Sequence, residues 1–210
     1  MERIWTEYLP WLLKGASVSV QVTLASTAIA LVLGLLVALM RVSTIKPLRS
    51  LGTIYVQFVR GTPLLLQLFY LFYVLPFVGI EMTPYVAGIS GLALNYGAYM
   101  SEVYRAGILF IDRGQREAAM TLGMKPGRIM RRIILPQTTR LVVPPLGNYF
   151  VGMFKDSAIV SVLTLNELLF TAQTLAKNSY RPVIIFTLAA ALYFAISYPA
   201  ARLVEWIERR

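Results

Sequence analysis

Apolar runs long enough to cross a lipid bilayer dominate this chain of 210 residues. A membrane-spanning helix needs about 20 apolar residues, because each residue advances the helix by about 1.5 Å. The sequence therefore predicts an all-α, polytopic membrane protein with five transmembrane helices. The five runs, of which the fourth continues beyond the end given, are Ala16 to Met40, Leu51 to Val78, Pro84 to Ile111, Leu141 to Phe154 and Pro182 to Val204.

The composition agrees with a membrane protein and excludes several kinds of site. Hydrophobic residues make up 57% of the chain and charged residues 14%, and a soluble domain of this size carries far more charge. No linker, repeat or low-complexity tract divides the chain, so residues 1–210 are expected to form a single transmembrane domain. Cysteine and histidine are both absent, which excludes disulfides and removes the commonest metal ligand, so no metal site is expected.

The net charge of +10 comes from basic residues that lie between the apolar runs. This placement is typical of topology signals and argues against a nucleic-acid partner. Because basic loops stay on the inner side of a membrane, the N-terminus is predicted outside and the C-terminus inside. The residues that set this orientation are Arg41, Lys46, Arg49, Arg113, Arg116, Lys125, Arg128, Arg131, Arg132, Arg140, Arg202, Arg209 and Arg210.

One apolar segment is interrupted by polar residues and is not counted as a span. It runs from Ser157 to Tyr180, contains Asn166, Glu167, Gln173 and Lys177, and lacks glycine and proline. We expect it to form a helix that packs at the outer face and is partly re-entrant.

Five ionisable residues fall within the apolar stretches: Arg60, Glu102, Arg105, Lys155 and Asp156. The two arginines lie near predicted inner ends, where long side chains reach the interface. The other three would cost about 2.5–3.5 kcal/mol each at a helix centre if they faced lipid. They are therefore expected to face protein or water.

Polar residues at helical spacing indicate an internal pathway. Asn95, Tyr99 and Glu102 stand at i, i+4 and i+7, which places them on one face of a helix. Structural pairing is the alternative, with Glu102 bound to Arg105 and Asn95 bound to Gln67. That alternative is favoured for Asn95, Gln67 and Tyr99 taken singly, whereas membrane carboxylates favour a transport path. The residues predicted to bind substrate are Gln67, Asn95, Tyr99, Glu102, Met153 and Asp156.

A basic, polar loop interrupts the apolar chain between the third and fourth runs. The start of the loop is rich in good helix formers, and Gly123 can end that helix. The helix formers are Glu117, Ala118, Ala119, Met120 and Leu122. Ala118 and Ala119 are small, so another surface can approach closely. An ordinary amphipathic loop helix would have a similar periodicity.

The spacing of this loop resembles the EAA loop of ABC importer membrane subunits. That pattern is Glu-Ala-Ala, three residues, Gly, nine residues and Ile-x-Leu-Pro. Here it is filled by Glu117, Ala118, Ala119, Gly123, Ile133, Leu135 and Pro136. Further segments resemble the polar-amino-acid permeases of this superfamily: RGTPLLLQLFY from Arg60, AYMSEVYRAGI from Ala98, PPLGNYF from Pro144 and KDSAIVS from Lys155.

The resemblance implies an assembly in the bacterial inner membrane. This multi-pass subunit would pair with a second copy or a similar permease, with lipid around both. Two cytosolic ATP-binding subunits would dock on a coupling helix around Glu117, Ala118, Ala119 and Gly123, and an extracytoplasmic binding protein would deliver the substrate. The ATPases would hold ATP and Mg, and this chain is expected to hold no cofactor. No GxxxxGK[ST] phosphate loop is present, so no ATP hydrolysis by that route is expected here.

The same resemblance implies an amino acid as substrate. Two acids and nearby tyrosines favour a basic one, namely arginine, lysine or histidine, with glutamine next. An ion-coupled secondary transporter or channel is the alternative, because intramembrane carboxylates also serve ion coupling. An intramembrane enzyme is least favoured, because histidine, cysteine and a defensible Ser/Lys pair are lacking.

Overall fold

A computed structural model describes residues 7–209 of the chain. Within them the regular structure is helical, with no strand, which confirms the all-α prediction. The α-helices in chain order are α1 (Leu9–Val42), α2 (Lys46–Arg60), α3 (Leu64–Phe69), α4 (Pro84–Phe110), α5 (Arg113–Thr121), α6 (Pro126–Ile129), α7 (Leu135–Asp156), α8 (Leu168–Ser179) and α9 (Pro182–Glu208).

The core is built around the contact between the two long helices α1 and α4, with α7 packed against α4. Small residues bring α1 and α4 close together: a Cβ atom on Gly34 would lie 3.1 Å from the carbonyl oxygen of Gly97. Large apolar side chains fill the space beside this contact, including the fully buried Leu68, Leu92 and Met100. Close backbone approach at small residues is typical of membrane helices, because lipid supplies no hydrophobic force between them.

The second predicted run is not one continuous helix. It divides into α2 and α3 at Gly61 to Pro63, and the two parts are bent by 103°. Proline disfavours helical conformation in the residue before it, which explains where α2 ends. Gln67 closes the bend: its Nε2 donates to the carbonyl oxygens of Val59 (2.8 Å) and Thr62 (3.1 Å). After α3 the chain continues through a π-helical turn, Tyr70–Val74, and a 3-10 turn, Leu75–Val78.

The prediction of a single helix over Ser157 to Tyr180 is wrong. A 3-10 helix, Ser157–Leu163, ends at Thr164 in the left-handed region (φ 59°), and α8 begins only at Leu168. Glu167 explains where α8 begins, because its buried side chain caps the helix by accepting hydrogen bonds from the backbone N–H groups of Leu169 (2.9 Å) and Phe170 (2.6 Å) in the first turn. Ser19 and Tyr193 also donate to this carboxylate, at 3.2 and 3.0 Å, so α8 is tied to both α1 and α9.

Two of the described helices, α1 and α9, are long and apolar enough to cross a membrane by length and composition. The number reaches four if each of two bent pairs counts as one span, namely α2 with the α3 segment and the α6–α7 segment with α8. The other predicted span, α4, has 27 residues but includes more polar ones. A membrane protein with at least two candidate spans is therefore established, and the total of five stays a prediction.

The polar loop after α4 forms the predicted short helix, α5, and ends where expected. Gly123 adopts a positive φ of 75°, which glycine accepts without strain. Its N–H donates to the carbonyl of Met120 at 2.9 Å, and the N–H of Met124 donates to that of Ala119 at 3.1 Å. This pair of bonds is the Schellman arrangement, which satisfies carbonyls that a helix end leaves free. The chain then passes through α6 and a π-helical turn, Met130–Ile134, directly into α7.

Candidate functional site

A cavity of about 540 Å³ lies between α4 and α7. It exists partly because Gly152 has no side chain: a Cβ atom there would lie 3.3 Å from the Tyr96 hydroxyl oxygen. The lining residues come from one turn of α4 and about three turns of α7, so a bend or shift of either helix changes the shape of the cavity. They are Tyr96, Tyr99, Pro145, Asn148, Tyr149, Gly152 and Asp156.

Three tyrosines and one carboxylate give the cavity its chemistry. The ring centroids of Tyr96, Tyr99 and Tyr149 lie 6.0 to 6.5 Å from one another. The Tyr96 hydroxyl donates a 2.7 Å hydrogen bond to Oδ2 of the half-buried Asp156. Aromatic faces attract cations through their quadrupole, and an ionised carboxylate makes charge-assisted hydrogen bonds. The arrangement is therefore suited to a positively charged ligand group.

Glu102 lies within a cluster of arginines and does not line the cavity. Its Oε1 contacts Arg41 at 2.9 Å and Arg60 at 3.1 Å, and its Oε2 contacts Arg105 at 3.1 Å. The pairing of Glu102 with Arg105 that the helical spacing allowed is thus present, and two further helices add to it. We call these four residues the arginine cluster. It joins α1, α2 and α4.

Three other predicted ligands also lie outside the cavity lining. The Asn95 side chain donates to Gln67 Oε1 at 3.1 Å, which is the interhelical pairing offered as the alternative. Met153 is fully buried in the core, where its sulfur accepts a 3.3 Å hydrogen bond from Thr27. Of the six residues predicted to bind substrate, the structure brings only Tyr99 and Asp156 to the cavity.

Sequence reasoning missed Tyr96 and Tyr149 as candidate ligands. The signal that could have found them was helical spacing. Tyr149, Gly152 and Asp156 stand at i, i+3 and i+7, and Tyr96 precedes Tyr99 by three residues. Aromatic residues are common in membrane helices, however, and only the facing of α4 against α7 distinguishes these from the rest.

The α5 helix presents a second candidate surface. Glu117 and Ala118 are exposed, whereas Ala119 is buried against a cluster that includes Ile108, Ile129 and Ile134. Its small side chain allows α5 to lie close to the end of α4. Two apolar side chains are exposed on this segment, with Met120 49% and Leu122 81% exposed. Exposed apolar side chains beside charged ones are typical of a protein–protein contact surface.

Comparison with known proteins identifies the family. Residues 30–210 match the family described as binding-protein-dependent transport system inner membrane component. The chain is 37% identical to the L-cystine transport system permease protein TcyB of Bacillus subtilis over 97% of this chain and 87% of that protein. It is 32% identical to the arginine transport system permease protein ArtQ of the same organism, over 96% and 93%.

A solved structure agrees with these relatives. The chain resembles a subunit of an amino acid ABC transporter crystallised with histidines, with a TM-score of 0.91, 37% identity, and coverage of 98% of this chain and 96% of that one. The resemblance inferred from the EAA loop is therefore confirmed. The protein belongs to the family of binding-protein-dependent transport system inner membrane components, the permease subunits of ABC importers.

Proposed function

We propose that this chain is the membrane-spanning subunit of an ATP-driven importer for amino acids, with a preference for basic ones. In this proposal the cavity between α4 and α7 receives the substrate, and α5 receives force from a cytosolic ATPase that binds ATP and Mg. The observation that carries the proposal is that two distinct candidate sites lie in one permease fold. An exposed helix bears the EAA residues, and a separate cavity bears a carboxylate among aromatic rings.

The proposed topology has five spans, with the N-terminus outside and the C-terminus in the cytosol of a bacterial cell. The helices α1 and α9, the two bent pairs and α4 supply the five. Basic residues in the segment between α4 and α7 favour the inner side for α5, by the positive-inside rule. A second copy or a similar permease completes the translocation pathway, and an extracytoplasmic binding protein delivers the substrate.

Contacts between α5 and the membrane helices support a coupling role. Ala119 packs beside Ile108 near the end of α4, and Leu39 and Val42 of α1 pack against the same cluster. A displacement of α5 by a docked partner would therefore also move the ends of α1 and α4 that pack against it. Because α4 also carries the cavity residues Tyr96 and Tyr99, a movement of α5 can be transmitted along this helix to the substrate site.

The preference for a basic amino acid rests on the ligands in the cavity. Asp156 offers a carboxylate, and the three tyrosines offer π faces, which together favour a cationic side chain. Family membership alone leaves the substrate open, because relatives of similar identity carry the names of cystine and arginine systems. The local chemistry of the cavity is thus the argument for the basic class.

The test is transport by the purified complex in proteoliposomes. The permease is reconstituted together with its substrate-binding protein, with and without its ATPase subunits. Uptake of labelled arginine, lysine, histidine, glutamine and cystine is measured with and without ATP. We expect uptake only with ATP and ATPase together, and fastest for the basic amino acids. Uptake driven by an ion gradient through this chain alone would refute the proposal, and equal rates for all five amino acids would refute the preference.

A further inference from the structure

The arginine cluster adjoins the cavity where Arg60 contacts Tyr99. The Arg60 guanidinium carbon lies 5.2 Å from the ring centroid of Tyr99, a residue of the cavity wall. The same guanidinium binds Glu102, which it shares with two other arginines. Three positive charges against one negative charge leave an excess of two positive charges in the cluster, which adjoins the cavity at Tyr99.

Arg60 is the arginine of the cluster that combines an exposed side chain with a contact to the cavity wall. Its side chain is 44% exposed, compared with 36% for Arg105 and 11% for Arg41, and it lies over the Tyr99 ring. A guanidinium has five N–H donors in a planar fork that matches the two oxygens of a carboxylate. The contact with Glu102 uses the Nη1 group, so donors remain for a second anion.

The acidic group of the cavity, Asp156, is separated from Arg60, as the positions of their partners on α4 show. Asp156 is held by Tyr96, and Arg60 is held by Glu102, six residues further along the same helix. Six residues correspond to about 9 Å of helix rise. The rings of Tyr96 and Tyr99, with centroids 6.5 Å apart, lie between the two charged groups. The cavity therefore has an acidic end at Asp156 and, just beyond its wall at Tyr99, a basic end at Arg60, and aromatic surface separates the two.

We infer that Arg60 binds the α-carboxylate of the substrate while Asp156 binds its side-chain cation. The α-ammonium and α-carboxylate of an amino acid share one carbon atom, so they cannot span the distance between the two ends. A basic side chain adds a stem of three or four CH2 groups, which carries its charge far enough. The stem would lie against the tyrosine rings. This orientation rests on the proposed function, and it makes Arg60 a specificity-determining residue.

Decarboxylated substrates test the orientation directly. Agmatine and cadaverine keep the side-chain cations of arginine and lysine but lack the carboxylate. We expect the unmodified complex to bind arginine at least tenfold more tightly than agmatine, and lysine more tightly than cadaverine. In Arg60→Gln we expect arginine affinity to fall to that of agmatine while agmatine affinity stays unchanged. Unchanged agmatine binding also shows that the variant still forms the cavity.

Two further variants separate recognition of the carboxylate from support of the cluster. Arg105→Gln removes another partner of Glu102 and leaves the contact of Arg60 with Tyr99 in place, so it should keep the preference for arginine over agmatine. Arg60→Lys keeps the charge without the planar fork and should keep part of that preference. Equal loss of both ligands in Arg60→Gln, or the same loss in Arg105→Gln, would overturn the inference.

The outcomes for the two proposals are distinct. If the unmodified complex binds neither arginine nor lysine, the proposed substrate class fails and the inference fails with it. If it binds and transports them but Arg60→Gln still prefers arginine over agmatine, only the assignment of Arg60 fails. The readout is equilibrium binding of the labelled ligands to the permease–ATPase complex in detergent.

Discussion

Tyr96 on α4 and Asp156 at the end of α7 are joined by a 2.7 Å hydrogen bond from the tyrosine hydroxyl to Oδ2 of the carboxylate. The bond fixes the acidic end of the cavity and also ties together two helices that approach it from opposite chain directions. A carboxylate that accepts one hydrogen bond keeps lone pairs for a ligand. Substrate binding and helix position are therefore linked at this residue.

Replacing Asp156 with Asn should weaken binding of basic amino acids at least tenfold. The substitution keeps the shape of the side chain but removes the charge, and a hydrogen bond to a charged group is worth about 1.5–3 kcal/mol. Binding of labelled arginine to the complex measures the effect. Tyr96→Phe removes only the hydroxyl, so a smaller loss is expected. Unchanged affinity in Asp156→Asn would exclude Asp156 from the site.

Replacing Glu102 with Gln should destabilise the protein more than it weakens binding. The change leaves Arg41, Arg60 and Arg105 close together without their shared carboxylate. Loss of one partner from a fully buried ion pair costs about 3–5 kcal/mol, and partial exposure reduces this to roughly 1–3 kcal/mol. Thermal unfolding in detergent measures the loss.

The control for Glu102 is Glu205→Gln. Glu205 pairs with Arg202 at 2.7 Å on the exposed surface of α9, where ion pairs contribute about 0–1 kcal/mol. The unfolding temperature of the Glu205→Gln variant should hardly change. If Glu102→Gln unfolds at the normal temperature yet loses substrate affinity, Glu102 is a ligand, and its role as a link between helices is refuted.

Gln67 and Asn95 should show coupled effects on stability. Gln67 accepts from Asn95 and donates to two carbonyls at the bend between α2 and α3. Changing either residue to Leu removes the 3.1 Å bond between them, so the two losses should not add. We expect a coupling energy of about 0.5–1.5 kcal/mol, the range of a net hydrogen bond. Additive losses in this double-mutant cycle would contradict the link.

The helices and the coupling segment could be predicted from sequence because local signals specify them. Apolar length places α1, α4 and α9 to within several residues, and the Gly123 end of α5 follows from one residue's freedom at positive φ. The breaks were missed for a different reason. The start of α8 after Glu167 depends on the long-range partners Ser19 and Tyr193. At the bend after Arg60, Gln67 is held by Asn95 of α4 as well as by its nearby carbonyl partners.

The site was only partly predictable because polar residues in membrane helices can either bind a ligand or pair with polar residues of another helix. Asn95 and Glu102 stand at helical spacing with the cavity residue Tyr99, but partners on other helices satisfy them. Spacing along one helix cannot show which residue a second helix meets. Arg41 illustrates this. From the sequence it counts among the basic residues that are predicted to set the membrane orientation, and only the packing of α1 shows that it contacts Glu102.

Replacing Gly123 with Val should uncouple the ATPase while the protein still inserts into membranes. A side chain at φ 75° is strained by roughly 1–2 kcal/mol, and a β-branched one by more, so the end of α5 must change shape. Substrate-stimulated ATPase activity of the reconstituted complex is the measurement. Gly127→Val is the matched control, since Gly127 lies in the next helix, α6, with open space around it and no positive φ. Equal activity in the two variants would refute a special role for Gly123.

Leu substitutions at the adjacent alanines should separate folding of α5 from docking of the partner. Ala119 is 3% exposed and packs beside Ile108, so a larger side chain overpacks the cluster and should cost about 1–3 kcal/mol. Ala118 faces outward, so Ala118→Leu should leave thermal stability within about 0.5 kcal/mol. It should instead weaken assembly with the ATPase, measured by copurification. If Ala118→Leu assembles normally and retains full ATPase activity, the exposed face of α5 is not the docking surface.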